Sequence, residues 1–217
     1  MEMHWAMRKL AGLLARDGFP VLRFDYFGTG DSAGGFEDAS CARWQQDILV
    51  AAEELKELAQ VKSIALAGCR LGATLAMGAV ADGLQAGAVA LWDPVISGSQ
   101  YLLELQERER WEELESFCAR PRYATHLLGY PLATVERQRI AQLDLAAVPP
   151  PSSTRTGVFF VRQRREFAQL ARAWSAHRPA CTFQHFPDDA DPAKPGVRLA
   201  DQIPRAITDW LARGAGA

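Results

Sequence analysis

An apolar run, Ser63 to Ala67, leads into Gly68-Cys69-Arg70-Leu71-Gly72, and small helix-forming residues follow at once, Ala73-Thr74-Leu75-Ala76-Met77. Strand, tight turn and helix in immediate succession constrain this chain more than any other stretch. Such a turn holds a residue in a strained backbone conformation above the end of a strand, as nucleophile-presenting elbows do. Glycine is needed where flanking chains pass too close for a side chain. The N-terminus of the following helix then faces the residue at the tip. We read Cys69 as that residue, in the position of a nucleophile.

The rest of the chain predicts the same class of fold. Its 217 residues suffice for one α/β domain with a full core. A net charge of −2 makes no electrostatic case for nucleic acid or an anionic membrane. No apolar run reaches membrane-spanning length, and the first residues lack the layout of a secretion signal. Cys41, Cys69, Cys118 and Cys181 are widely spread, without a Cys-x-x-Cys pair. That argues against a zinc site or disulfide scaffold and makes a reducing cytoplasm the expectation. Nothing calls for a metal or an organic cofactor.

Met3, Met7, Leu10, Ala11 and Leu14 share one helical face, which Asp17-Gly18 ends. Pro20 to Tyr26 reads as a strand, followed by a turn, Phe27-Gly28-Thr29-Gly30-Asp31-Ser32. Cys41, Trp44, Ile48, Ala52 and Leu55 mark a second helix. Further strands are expected at 63–68, 88–92, 157–161 and 181–186, with helices at 70–83 and 165–176 and near the C-terminus. Pro204 suits that last helix only in its first turn. Alternating strands and helices predict a parallel sheet covered on both faces. Residues 97–147 break the alternation with a charged surface helix and a second helical piece. Their place after a strand's C-terminal end is where ligands bind in open α/β sheets, so we expect a lid. The whole chain is then one domain, with core 1–96 and 148–217.

Phe24-Asp25-Tyr26-Phe27-Gly28-Thr29-Gly30-Asp31-Ser32 resembles the Asp-x-x-Gly-x-Gly-x-Ser turn of α/β-hydrolases, and Gly68 to Gly72 falls at the spacing of their elbow. Trp92-Asp93-Pro94-Val95, Gly98, Tyr101 and Gly129-Tyr130-Pro131-Leu132 resemble a serine aminopeptidase-like subgroup that accompanies exosortase and exopolysaccharide loci. The resemblance implies an α/β-hydrolase-like sheet acting on a small acyl or ester substrate. It also implies further strands ahead of the helix that opens this sequence. One of them would lie between Val21–Tyr26 and Ser63–Gly68, and one loop among them would supply an oxyanion-hole N–H. The other such donor is the backbone of Arg70. The start is therefore expected to be short. Otherwise, strands 21–26 and 63–68 pair directly or expose edges that favour a homodimer.

The triad partners are thinly supplied. The resemblance implies an acid after the next-to-last strand, where Arg162-Gln163-Arg164-Arg165-Glu166 stands, and a histidine after the last strand, where the loop holds none. Asp93 and His185 are the nearest substitutes. In one reading Cys69 attacks an ester or thioester, His185 shuttles the proton and Asp93 orients it. In the other, the chain is a degenerate hydrolase serving as an accessory or binding protein in exopolysaccharide production. Gly28, Gly30 and Ala33 also fit a dinucleotide fingerprint, but no helix follows them directly. The arginines at 162, 164 and 165 either face an anionic substrate or form a solvated helix start.

Overall fold

The computed structural model describes residues 2–116, 126–161, 164–177, 181–187 and 199–215. Arg162, Cys118 and the acidic loop beyond Pro187 lie outside the described residues. The chain runs α1 (Glu2–Arg16), α2 (Cys41–Ala59), β1 (Ala65–Cys69), α3 (Leu71–Ala81) and β2 (Ala88–Trp92). It continues through α4 (Gly98–Ser116), β3 (His126–Leu127), β4 (Tyr130–Pro131) and α5 (Thr134–Ala141). It closes with β5 (Arg155–Phe160), α6 (Arg165–Ala173), β6 (Cys181–His185) and α7 (Leu199–Ala215). The expected alternation and the break in it are both present.

β1, β2, β5 and β6 form one parallel sheet in the order β1-β2-β5-β6. Side-chain parity divides its two faces. Val89 and Leu91 of β2 and Val158 of β5 pack into the cluster carried by α2, α3 and α6. Ala88, Ala90 and Trp92, with Phe159, pack against α1 and α7. Burial on both faces explains why β2 is apolar at every position rather than alternating.

α7 begins earlier than the sequence reading allows, so Pro204 sits in its second turn, not its first. The cost of a proline inside a helix is about 3 kcal/mol. Burial of Ile203, Ile207, Trp210 and Leu211 against the sheet offsets it. Arg155 of β5 stacks 4.1 Å from the Trp210 ring centroid and donates to the carbonyls of Trp210 and Leu211, near the helix's last turn.

The strand expected over residues 20–26 is not formed, and this corrects the sequence reading. The segment is tied at its ends: Phe19 N–H donates to Leu14 O (3.0 Å) and Phe27 N–H to Asp47 Oδ2 (2.8 Å). It joins no ladder, and β1 pairs with β2 alone among the described residues. A cavity of about 450 Å³ lies between that edge and the segment, lined by Met7, Leu10, Phe24, Tyr26 and Ala67 among others. High β-propensity does not make a strand where no neighbouring backbone accepts its hydrogen bonds.

Between β2 and β5 the chain leaves the sheet at Ser97, which forms an antiparallel bridge with Asp144. α4, the β3–β4 hairpin and α5 lie within this loop. Buried Glu136 of α5 accepts from the N–H of Cys41, at the first turn of α2 (2.5 Å). A carboxylate there satisfies an otherwise unpaired helix donor and ties the insertion to the core.

Candidate functional site

The elbow forms as the glycines require. A Cβ on Gly68 would come within 2.7 Å of the Ala73 backbone, so α3 can cross β1 this closely only at glycine. The strained residue is Arg70, at φ 52°, ψ −127°. Its carbonyl accepts from Ala73 N–H (3.1 Å), and Thr74 Oγ1 ties α3 to Val95 O (2.7 Å).

This corrects the placement of Cys69. Midway between Gly68 and Gly72 stands Arg70, and the tip of the turn belongs to it. Cys69 is the last residue of β1, and its side chain packs with that of Ala67 toward α1 and α7. Strand parity sets this: residues two apart share a face. The Cys69 thiol is pushed up to about 12 by burial first and by the Asp93 carboxylate second, with Arg70 acting in the opposite sense. Both leading causes disfavour a thiolate.

The Arg70 backbone N–H, expected to hold an oxyanion, donates to Trp92 O at 3.0 Å and continues the β1–β2 ladder. Asp93 has φ 41°; its N–H donates to Phe159 O (2.8 Å) and its Oδ1 accepts from Val161 N–H (3.0 Å). His185 Nε2 lies 2.9 Å from Val161 O, and its ring centroid is 5.3 Å from that of Phe160. A carbonyl neighbour requires the proton on Nε2, so this nitrogen is a donor.

Among the described residues, neither of the two cavities at this end of the sheet carries all three candidates. Cys69 lines the apolar cavity beside the β1 edge. Asp93 lines a different, polar cavity of about 860 Å³ at the C-terminal ends of the strands, together with Arg70, Tyr101, Glu104, Arg164 and Glu166. His185 is among the described lining residues of neither.

In the polar cavity one carboxylate joins two arginines. Glu104 Oε2 is 2.7 Å from Arg70 Nη2, and Glu104 Oε1 contacts Arg164 Nη1. The Arg70 guanidinium also lies 5.5 Å from the Tyr101 ring centroid. These side chains are about one-third exposed: 36% for Arg70, 29% for Glu104 and 30% for Arg164. The sequence offers Arg164 as one of three arginines that could face an anionic substrate; it does not single out Glu104 from the other acids of a highly charged helix.

The turn at 25–33 has an architectural role. Asp25 Oδ2 accepts from Asp31 N–H (3.2 Å), Gly28 N–H donates to Ala33 O (2.9 Å), and Trp44 Nε1 donates to Phe27 O (3.1 Å). Only a short 3₁₀ turn, Phe36–Asp38, follows the glycines.

The chain is similar in structure to several solved hydrolases. Est1E from Butyrivibrio proteoclasticus, solved with ferulic acid bound, aligns at TM-score 0.67 and 18% identity, over 98% of this chain and 84% of that one. A putative hydrolase from Agrobacterium vitis S4 aligns at 0.62 and 21%, over 93% and 79%. The Pyrococcus furiosus esterase Pf2001 aligns at 0.67 and 15%, over 97% and 74%. No family model and no curated protein matches the sequence. These likenesses show the fold, a parallel sheet between helical layers that the chain shares with these solved proteins.

Proposed function

We propose that this chain is a ligand-binding protein built on a hydrolase fold, without acyl-enzyme chemistry. The observation that carries this reading is Arg70 at the tip of the elbow. A guanidinium stays protonated in proteins and offers five donors but no lone pair, so it binds where a serine or cysteine would attack. Residues 97–147 act as the lid, and the ligand lies beneath α4 in the polar cavity. The sequence resemblance suggests a setting for such a protein, as an accessory of exopolysaccharide production.

Ester or thioester hydrolysis is the competing reading, with Cys69 attacking, His185 shuttling the proton and Asp93 orienting it. Its support is the kind of protein that shares the fold, and fold alone does not carry activity. Purified protein incubated with p-nitrophenyl esters and acyl-thioester probes separates the two. We expect turnover indistinguishable from that of Cys69→Ala, and no acyl adduct by intact-mass spectrometry. Turnover abolished by Cys69→Ala, with an adduct mapped to Cys69, would overturn the binding reading.

A further inference from the structure

We infer that Arg70 and Arg164 together form a binding site for an organic monocarboxylate, and that the carboxylate of Glu104 is its built-in occupant. The inference rests on the binding reading of the elbow and names the ligand class. Two guanidiniums from separate elements, one at the β1–α3 turn and one before α6, converge on a single carboxylate, each taking one oxygen. That is the planar two-oxygen recognition for which arginine is suited. One acid stands between two arginines in this triplet, while the whole lining, with Arg108, Asp93, Glu107 and Glu166, holds four acids to three arginines.

The remaining lining limits the ligand. Glu107, Glu166 and Asp93 face the same cavity, so a dianion meets about twice the repulsion that a monoanion does. At about 860 Å³ the cavity is far larger than the head group, and its walls include Tyr101, Trp111 and Phe167 beside the charged residues. A body bearing hydroxyl groups suits such mixed walls. Glu104 belongs to α4, so a ligand carboxylate that displaces it breaks this helix's ion pairs to Arg70 and Arg164, while Tyr101, Leu102 and Leu105 keep it packed on the core. The ligand thereby competes with a tethered group at high effective concentration.

Calorimetric titration of the full chain with sodium gluconate and, separately, inorganic phosphate tests this. Removing the tethered competitor in Glu104→Ala should tighten gluconate binding about tenfold or more over the parent protein. Adding Arg164→Ala to that variant should abolish the gain, and phosphate should bind more weakly than gluconate. Glu104→Gln, of similar volume and without charge, should shift affinity in the same direction and serves if the alanine variant fails to fold by circular dichroism. Equal gluconate affinity with and without the Glu104 carboxylate, or tighter binding of phosphate, would overturn the inference. The readout is binding rather than turnover. Esterase turnover lost in Cys69→Ala would overturn the binding reading on which this inference rests, whereas absent gluconate binding without such turnover would overturn this inference alone.

Discussion

Cys69 and Arg70 are adjacent in sequence yet belong to different environments, and the difference is a matter of which way a strand residue points. Cys69 shares the face of Ala67 and meets α1 and α7; Arg70 leaves the strand and reaches the polar cavity. The glycines at 68 and 72 advertised the turn, but its tip depends on where the β1–β2 ladder ends. That boundary is set by Arg70 N–H donating to Trp92 O, a contact between residues far apart in the chain. The chemical consequence is measurable. With its thiol pushed up to about 12, Cys69 is roughly 10⁻⁴ thiolate at pH 8, against about a quarter for a free cysteine. Alkylation by iodoacetamide, followed at Cys69 by peptide mass mapping, should climb about tenfold per pH unit between 8 and 11. A rate already level at pH 8 would mean an activated thiol.

Elements whose cause is local were legible. The β1 turn and α3 declare themselves through glycines and small side chains, and α2 through its apolar stripe, Cys41, Trp44, Ile48 and Ala52. The segment 20–26 was not legible, because an extended apolar run becomes a strand only beside a partner. Paired substitutions test the local argument. Gly68→Ala drives a methyl into the Ala73 backbone and should cost about 2–3 kcal/mol in urea unfolding. Gly12→Ala, inside α1 with nothing within 4 Å of its added Cβ, should instead stabilise by about 0.5–1 kcal/mol. Equal effects would show that close packing at the elbow is not what selects glycine at position 68.

At the scale of the whole molecule, burial couples several titrating groups to folding. Cys41 and Cys69 are pushed up to about 12 and Cys181 is raised, in each case first by burial; Tyr26 is pushed up to about 12 by burial and by Asp47. Cys41 is raised further by Glu136, the same carboxylate that ties α5 to α2. All these groups hold their protons more tightly when folded. Their stabilisation is therefore complete below the unfolded-state pKa and is lost as pH rises through the folded-state pKa, a window that reaches about 12 for Cys41, Cys69 and Tyr26. For Cys69 the loss is at most about 1.4 kcal/mol per pH unit once the unfolded thiol ionises. Melting temperature should be insensitive to these groups from pH 7 to 8 and fall increasingly above pH 9, with tyrosines adding to the slope beyond pH 10. The Cys41→Ala, Cys69→Ala double variant should show a shallower decline between pH 9 and 10, whatever its melting temperature at neutrality. A decline of unchanged slope would place the alkaline lability in groups other than these thiols, and so outside the core that joins the insertion, the elbow and the sheet.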